Sequence, residues 1–461
     1  MTDFNAFNIP QLIMTHASRI FRLRLSCPNG CQAVRRRVSQ YGQKYTYRFY
    51  SDAPRSTAGA VVIGAGPAGI TVIGNLLEHD PDLDRRKLVW VDPDFRGGRV
   101  NARYREVPSN TKVSLFVQFA QEIPTFRAIT LNWHKPNALT ALQELPQDQG
   151  CRLSYAADLC LMLTNGLSMH QQVLPHRAKV TSAILDRWTK FWEVQFDDGS
   201  YVTTKKIVLC TGSSPISKMV PALAVAHNEH PQDLTPVDLD MALAPSRLAE
   251  HLDPEADTTM AVIGASHSAI LVLMNLVELA RSTHPRLRIK WFTRNDLRYA
   301  EYMDGWILRD NTGLKGQAAD WARQNLDKET FSNSPVSRYI TKIWTAGKEM
   351  EAYKAELPEC THIVQAVGYA RDPLPNIRIT LIEKNGTRPL HAEFNNLNGR
   401  FYLPGYPESP VPGLFGAGIA FPEQVTDPHG NVEYAVGFWK FMKFVKRVMP
   451  GWLESQRKPN P

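Results

Sequence analysis

The 461-residue chain has only six cysteines, and no two of them are spaced Cys-x-x-Cys. That spacing excludes a zinc ribbon and an adjacent dithiol for disulfide exchange. No run of eighteen or more uninterrupted apolar residues occurs, so no membrane-spanning helix is expected. The most apolar stretch, 260–280, is broken by Gly264, Ser266, His267, Ser268 and Asn275. No Gly-x-Ser-x-Gly occurs, so a hydrolase has no nucleophile to nominate. His227 and His230, with Glu229, lie in a proline-bounded loop that lacks a third ligand at regular spacing, and no metal is assigned.

Acid is scarce at one end. Residues 1–51 hold Arg19, Arg22, Arg24, Arg35, Arg36, Arg37, Lys44 and Arg48 against the single acid Asp3. The formal charge of +8 therefore sits mostly in this segment, and the remainder carries 45 basic against 44 acidic residues. A nearly neutral body gives no electrostatic footprint for nucleic acid. The Arg-rich, Ser-containing, acid-poor leader has the composition of a mitochondrial transit peptide. Apolar residues alternate with arginine from Ile20 to Leu25, and Arg48-Phe49-Tyr50-Ser51 is similar to matrix-processing sites. The expectation is a transit peptide over 1–50, a mature chain starting near Ser51, and mitochondrial localisation.

What is present begins at 60–70, Ala-Val-Val-Ile-Gly-Ala-Gly-Pro-Ala-Gly-Ile. An apolar β-branched run enters a Gly64-x-Gly66-x-x-Gly69 turn, and helix-compatible residues follow from Pro67 and Ala68. Gly64 permits the tight turn, Gly66 admits a pyrophosphate, and Gly69 lets the helix lie close to the strand. A second strand, 88–91, ends in Asp92, placed 23 residues past Gly69 to accept hydrogen bonds from a ribose. This is the pattern of a dinucleotide site.

Next, Arg96-Gly97-Gly98-Arg99 is a turn expected beside the flavin edge if the ligand is FAD. Residues 121–171 read as helices and loops, expected to cap the active site. Around Asp197-Asp198-Gly199-Ser200 the alternation signals an antiparallel hairpin, and the strand 206–209 runs into Cys210, Thr211 and Gly212. Residues 213–257 are rich in proline without period and read as linker. At 260 the opening pattern recurs as Gly264-x-Ser266-x-x-Ala269, with Arg294 where the first unit has Asp92. An acid repels a 2′-phosphate and a guanidinium binds it, so the second nucleotide is expected to be NADPH. His267 and Ser268 lie in that turn; His267 is read as solvent-exposed in preference to a phosphate ligand. The stretch 298–314 suggests no chemistry. A strand over 361–369, containing Gly368, is expected to return to the first domain, followed by the small-residue turn Gly416-Ala417-Gly418-Ile419. Asn431 is expected to cap a final helix through Val448 that stops at Pro450, with Tyr434, Phe438, Phe441, Met442 and Val445 on one stripe. That stripe is expected to pack on the FAD domain, with peripheral membrane contact as the alternative.

Together these motifs resemble the FAD/NAD(P)-dependent pyridine nucleotide-disulfide oxidoreductase superfamily. With no cysteine pair on the flavin face, the similarity is greatest to the flavin-containing and N-hydroxylating monooxygenases. Asp92 then Gly97-Gly98, the segment Tyr104, Asn110 and Lys112, the Gly264-x-Ser266-x-Ser268-Ala269 turn and Ala366-Val367-Gly368-Tyr369 carry that similarity. The Phe-x-Gly-x-x-x-His fingerprint is absent, and Gly418-Ile419 replaces the Gly-Asp pair of many relatives. The resemblance implies an α/β fold of two nested Rossmann-like dinucleotide-binding domains with an antiparallel β insert. The implied domains are FAD-binding over 51–214 and 366–450 and NADP-binding over 215–365, with a tail at 451–461. It further implies bound FAD and NADPH and reduced flavin that captures O2 as a C4a-hydroperoxide to oxygenate a small molecule. Asn110 would sit at the reacting edge, and cofactor contacts would come from the turn residues above, including Thr211, Gly212, Gly418 and Ile419. Two alternatives are an NAD(P)H dehydrogenase that reduces a quinone or other carrier, and a flavin-binding redox sensor without turnover.

Overall fold

The computed structural model describes residues 57–219, 221, 223–225, 234–381 and 386–454. The basic leader, the His227/His230 pair and the end of the tail lie outside the described residues. The fold is mixed α/β with several sheets.

The first glycine turn belongs to a seven-stranded sheet. Its centre is four parallel strands: Ile207–Leu209, Ala60–Ile63, Leu88–Val91 and Val173–His176. Tyr406–Gly416 pairs in parallel on the other side of Ile207–Leu209. Ala60–Ile63, Leu88–Val91 and Ile207–Leu209 read as unbroken apolar runs because both of their faces are covered. Val62, Leu88, Trp90 and Val208 face a helical layer, while Val61, Val89, Val91 and Ile207 face a six-stranded sheet. In that second sheet Val180–Leu185, Trp192–Phe196 and Tyr201–Thr204 form an antiparallel meander, with Gly199 at φ 83° in its Asp-Gly turn. The second glycine turn belongs to a five-stranded parallel sheet built on Thr259–Ile263, flanked by Arg288–Thr293 and His362–Gln365.

Several expectations change. The strand His362–Gln365 lies in the sheet of the second glycine turn, and the return follows it, where Tyr369–Arg371 pairs with Ser213–Pro215. The supposed linker supplies helices Leu239–Ala242, capped by Asp238, and Pro245–His251; their Leu239 and Leu248, with Leu243 between them, are core. The expected cap is a layer of helices, Val113–Gln121, Pro124–Asn132, Ala138–Gln143 and Leu153–Ser168. Their apolar faces close over the helix Pro67–His79 and join its core, and none of their residues lines either cavity described below. Their sequence period reflects packing, not a lid.

Asn431 does not cap a helix. Val432–Ala435 is a strand paired with Glu423–Thr426, and the helix is Phe438–Glu454, entered through Gly437 at φ 142°. Pro450 lies inside it, because the turn beyond is anchored: Trp452 stacks on Phe415 at 4.7 Å and donates to Asn398 O at 2.8 Å, and Arg400 donates to Gly451 O. Phe438, Phe441, Met442 and Val445 are buried against the first domain's helices, while Tyr434 is off the helix and exposed. The apolar stripe is therefore spent on the protein. On the basic side Lys446 pairs with Glu122, and Arg447 with Glu423 at 2.6 Å.

Candidate functional site

The two glycine turns are built alike. Gly64 has φ 109° and Gly264 φ 127°; a Cβ on either would come within 2.3 and 2.4 Å of the carbonyls of Cys210 and Ala366. Those carbonyls end the neighbouring parallel strands, so each turn is clamped where only glycine fits. Each turn is also tied by an indole: Trp90 Nε1 donates to Gly64 O at 2.9 Å and Trp291 Nε1 to Gly264 O at 2.7 Å. Neither tryptophan was singled out in the sequence. The signal available was their similar offset, 26 residues after Gly64 and 27 after Gly264.

Both turns open on a cavity. The first, about 860 Å³, is lined by the predicted residues Gly64, Gly66, Pro67, Ala68, Asp92, Gly98, Arg99, Thr211, Gly212 and Ile419. Gly69 stands behind the wall, where a Cβ would lie 1.9 Å from Gly64 O. Gly418, at φ 94°, backs onto Ala68. Gly66 differs from both: an added Cβ would meet only the Gly98 Cα, at 3.7 Å, so protein packing does not require glycine there. The open space in front of it suits a pyrophosphate at the N-terminus of helix Pro67–His79. The hydroxyls of Thr211 and Ser213 are buried without a protein partner, and both residues line this cavity. Orphaned donors of this kind cost about 1–3 kcal/mol each unless a ligand meets them. The cavity thus fits a polar, phosphate-bearing ligand. At its far side are Val436, Gly437 and Phe438, the entry to the last helix.

Asp92 shares its carboxylate. Oδ2 accepts from Ala65 N at 2.7 Å and Oδ1 from Asp94 N and Phe95 N at 2.8 Å each. With roughly four acceptor positions on a carboxylate, one is left for a ribose hydroxyl. Arg99 is likewise engaged: it pairs with buried Asp240 and donates to Ser214 Oγ at 3.1 Å, and Ser214 Oγ in turn donates to Asp372. Tyr104 OH donates to Asp240 at 2.9 Å and meets Tyr369, which also meets Ser268. Burial, with Tyr369 beside it, pushes the Tyr104 phenol far up, and burial raises the Asp240 carboxyl. Tyr104, Arg99, Tyr369 and Asp372 all line the first cavity. Sequence reading missed Asp240, Ser214 and Asp372.

The second cavity, about 940 Å³, is lined by Gly264, Ser266, Arg294 and Gly368 of the predicted set. Arg294, exposed just past the strand Arg288–Thr293, shares that wall with Arg298 and Lys218 and with the acids Asp296 and Glu349, a formal excess of one positive charge. His267 and Ser268 do not line it. His267 is not solvent-exposed: its Nδ1 is sealed and unpartnered, and burial, then Lys315, lower its pKa to about 4. Lys315 comes near enough to His267 to act on its charge, which the local sequence around His267 does not reveal.

Lys315 directly continues the stretch 298–314. Arg309, at φ 57°, is held by Tyr299 O and Glu301. Asp310 takes Lys315 and Lys440, the latter at 2.8 Å. Asn311 N and Nδ2 donate to buried Glu433 at 2.9 and 3.0 Å, and Thr312 donates to its other oxygen at 2.5 Å. Thr312 and Leu314 line the second cavity, so this strap joins it to the entry of the last helix beside the first. Asn110 lines neither cavity; it is exposed on the strand Pro108–Lys112, beside Gly316. Among the described residues no His, Cys, Asp or Glu group could hold a metal, and no helix is long and apolar enough to cross a membrane.

Comparison with known proteins agrees with this geometry. Residues 61–214 match the FAD-NAD(P)-binding family. Monooxygenase AgnR1 of Paecilomyces divaricatus is 51% identical over 409 residues, which span 87% of this chain and 100% of that protein. Among solved structures, L-lysine 6-monooxygenase from Pseudomonas syringae superposes with a TM-score of 0.52 at 12% identity, over 87% of this chain and 100% of that one. A flavin-containing monooxygenase from Stenotrophomonas maltophilia gives 0.51 at 12% identity, over 87% and 99%. At such identity these two show a shared fold. On the strength of the Paecilomyces relative, matched along its whole length, the chain belongs to that monooxygenase's family, within the FAD/NAD(P)-dependent oxidoreductase superfamily.

Proposed function

We propose that the chain is an NADPH-dependent FAD monooxygenase in which FAD occupies the first cavity and NADPH the second. The net reaction is NADPH + H⁺ + O2 + substrate giving NADP⁺ + H2O + oxygenated substrate. The observation that carries the assignment of cavities is the duplicated turn, alike in backbone but followed by Asp92 in one copy and Arg294 in the other. Bound flavin would accept hydride and activate O2; the protein supplies orientation and electrostatics. Thr211, Ser213 and the turn amides would hold the first cofactor. Arg294, with Arg298 and Lys218, would select the phosphorylated nicotinamide. The N-terminus of helix Phe438–Glu454 would offer its partial positive charge to reduced flavin.

The same reading takes the chain as two nested Rossmann-like domains, with the antiparallel meander 180–204 as an insert before the strand Ile207–Leu209 closes the first. FAD-binding parts at 51–214 and 366–450 would enclose an NADP-binding part at 215–365. The doubled glycine-turn and tryptophan geometry supports this division. Asn110, exposed on strand Pro108–Lys112 and outside both cavities, would be the residue at the reacting edge on the resemblance of its segment alone. The basic leader is proposed as a mitochondrial transit peptide; native protein starting near Ser51 is expected, and one starting at Met1 would overturn it.

The test is purification with a visible spectrum, then NADPH and O2 consumption. Yellow protein that consumes NADPH and O2 at 1:1, and places one ¹⁸O atom from ¹⁸O2 in product, is expected. Rapid reduction of quinones with no O2 dependence would replace this reading.

A further inference from the structure

The strand Val432–Ala435 alternates in reverse. Glu433 and Ala435 are buried, whereas Val432, Tyr434 and the next residue in phase, Val436, are 54, 51 and 42% exposed. A half-solvated strand ordinarily turns its apolar residues inward. The polar inward position has a cause, since Glu433 receives Asn311 and Thr312. The apolar outward face has none in the folding of the chain. It does have a continuation: Val436 lines the first cavity together with Ile419, itself 40% exposed. An uncharged strip therefore runs from the surface to the cavity wall beside Gly437 and Phe438. The hairpin of Glu301–Tyr302 and Ile307–Leu308 is pinned next to it, because Trp306 meets His429 edge-on at 4.9 Å, just before this strand. That hairpin exposes Tyr302, with Lys112 Nζ 5.4 Å from its ring.

We infer that Val432, Tyr434, Val436 and Ile419 form the wall against which the oxygenated substrate lies, and that this substrate is a planar aromatic molecule. The inference rests on the monooxygenase reading above and adds the substrate class to it. Rigid, flat ligands gain most from such a wall, because an apolar strip and exposed tyrosines remove their faces from water and stack on them without ordering flexible side chains. A free amino acid would find no charge on the strip to pair with. Continuity with the cofactor cavity is what favours a small molecule over a protein partner, which would not need the strip to enter the wall.

The probe is 2-naphthol, with L-lysine as the zwitterionic comparison, titrated into FAD-loaded full-length enzyme while the spectrum of bound flavin is followed. A saturable perturbation by 2-naphthol and none by L-lysine is expected. Tyr434→Asp should weaken it at least tenfold with FAD content unchanged; Val432→Asp, farther from the cavity, repeats the measurement if the first variant loses FAD. Equal affinity in the variants, a response to L-lysine instead, or a dimer split by Tyr434→Asp without any naphthol response would overturn the inference. Wild-type enzyme that oxidises NADPH but ignores 2-naphthol defeats this inference alone. Wild-type protein that holds FAD but never oxidises NADPH defeats the monooxygenase reading as well.

Discussion

Asn311 N donates to Glu433 Oε2 at 2.9 Å across 122 residues of sequence. Through this bond the strap over the second cavity is fastened to the entry of the last helix. Glu433 is buried and accepts three hydrogen bonds, so Glu433→Ala leaves Asn311 and Thr312 donors without a partner. The expected loss is about 2–3 kcal/mol of stability, read by denaturant unfolding. Because Thr312 lines the cavity proposed for NADPH, the dissociation constant for NADPH should rise several-fold while FAD is retained. Glu433→Gln keeps one carbonyl acceptor and should fall between the two. Full retention of NADPH affinity in Glu433→Ala would show the strap to be fastened elsewhere.

Two glycines of one turn separate packing from ligand binding. At Gly69 a Cβ would strike Gly64 O at 1.9 Å, so Gly69→Ala should destabilise the fold by about 3 kcal/mol. At Gly66 the protein leaves space, so Gly66→Val should fold with near-normal unfolding behaviour yet purify without yellow colour. A fully flavin-loaded Gly66→Val would remove FAD from the first cavity.

Gly64 and Gly69 were legible because each demand is local, a φ that other residues avoid at the first and a contact five residues back at the second, and Gly66 because its place in the turn faces the ligand space. The strands flanking them were legible because two covered faces leave only apolar positions. The terminal residues Asp92 and Arg294 follow from strand ends. What was hidden is long-range. Arg99 meets Asp240 across 141 residues, and Ser214 meets Asp372 across 158, and no pattern around any of them announces it. Trp90 and Trp291 were hidden differently, since an indole in an apolar run looks like core until its N–H is seen to donate. The strand Val432–Ala435 misled because its apolar side faces out, and with the aromatics beyond it the sequence mimicked a longer helix.

Coenzyme choice should turn on Arg294. It is exposed at the strand end where the first unit has Asp92, and its guanidinium can meet a 2′-phosphate in forked geometry. Arg294→Ala should raise KM for NADPH by roughly 10- to 100-fold, the equivalent of about 1.5–3 kcal/mol for a hydrogen bond to a charged group. KM for NADH should stay within about twofold, since NADH has no 2′-phosphate. Steady-state kinetics with both coenzymes measure this; an equal loss with both would assign Arg294 to general packing of the cavity.

His267 sets an acid limit. Burial first, then Lys315, depress its folded pKa to about 4, whereas an unfolded histidine titrates near about 6.5. Between those values the unfolded chain binds the proton and the folded chain refuses it, so unfolding gains from acid. The neutral imidazole's contribution is therefore whole above pH ~6.5 and declines as pH falls toward ~4, up to about 3 kcal/mol at the lower end. His267→Gln, which cannot take up a proton, should show a flatter stability profile across that window and match or exceed wild type near pH 4.5. Denaturant unfolding of FAD-loaded wild type and His267→Gln at pH 4.5, 5.5 and 7.5 gives the comparison. Parallel profiles for the two proteins would mean that the imidazole becomes charged in place, with solvent or a ligand group reaching Nδ1.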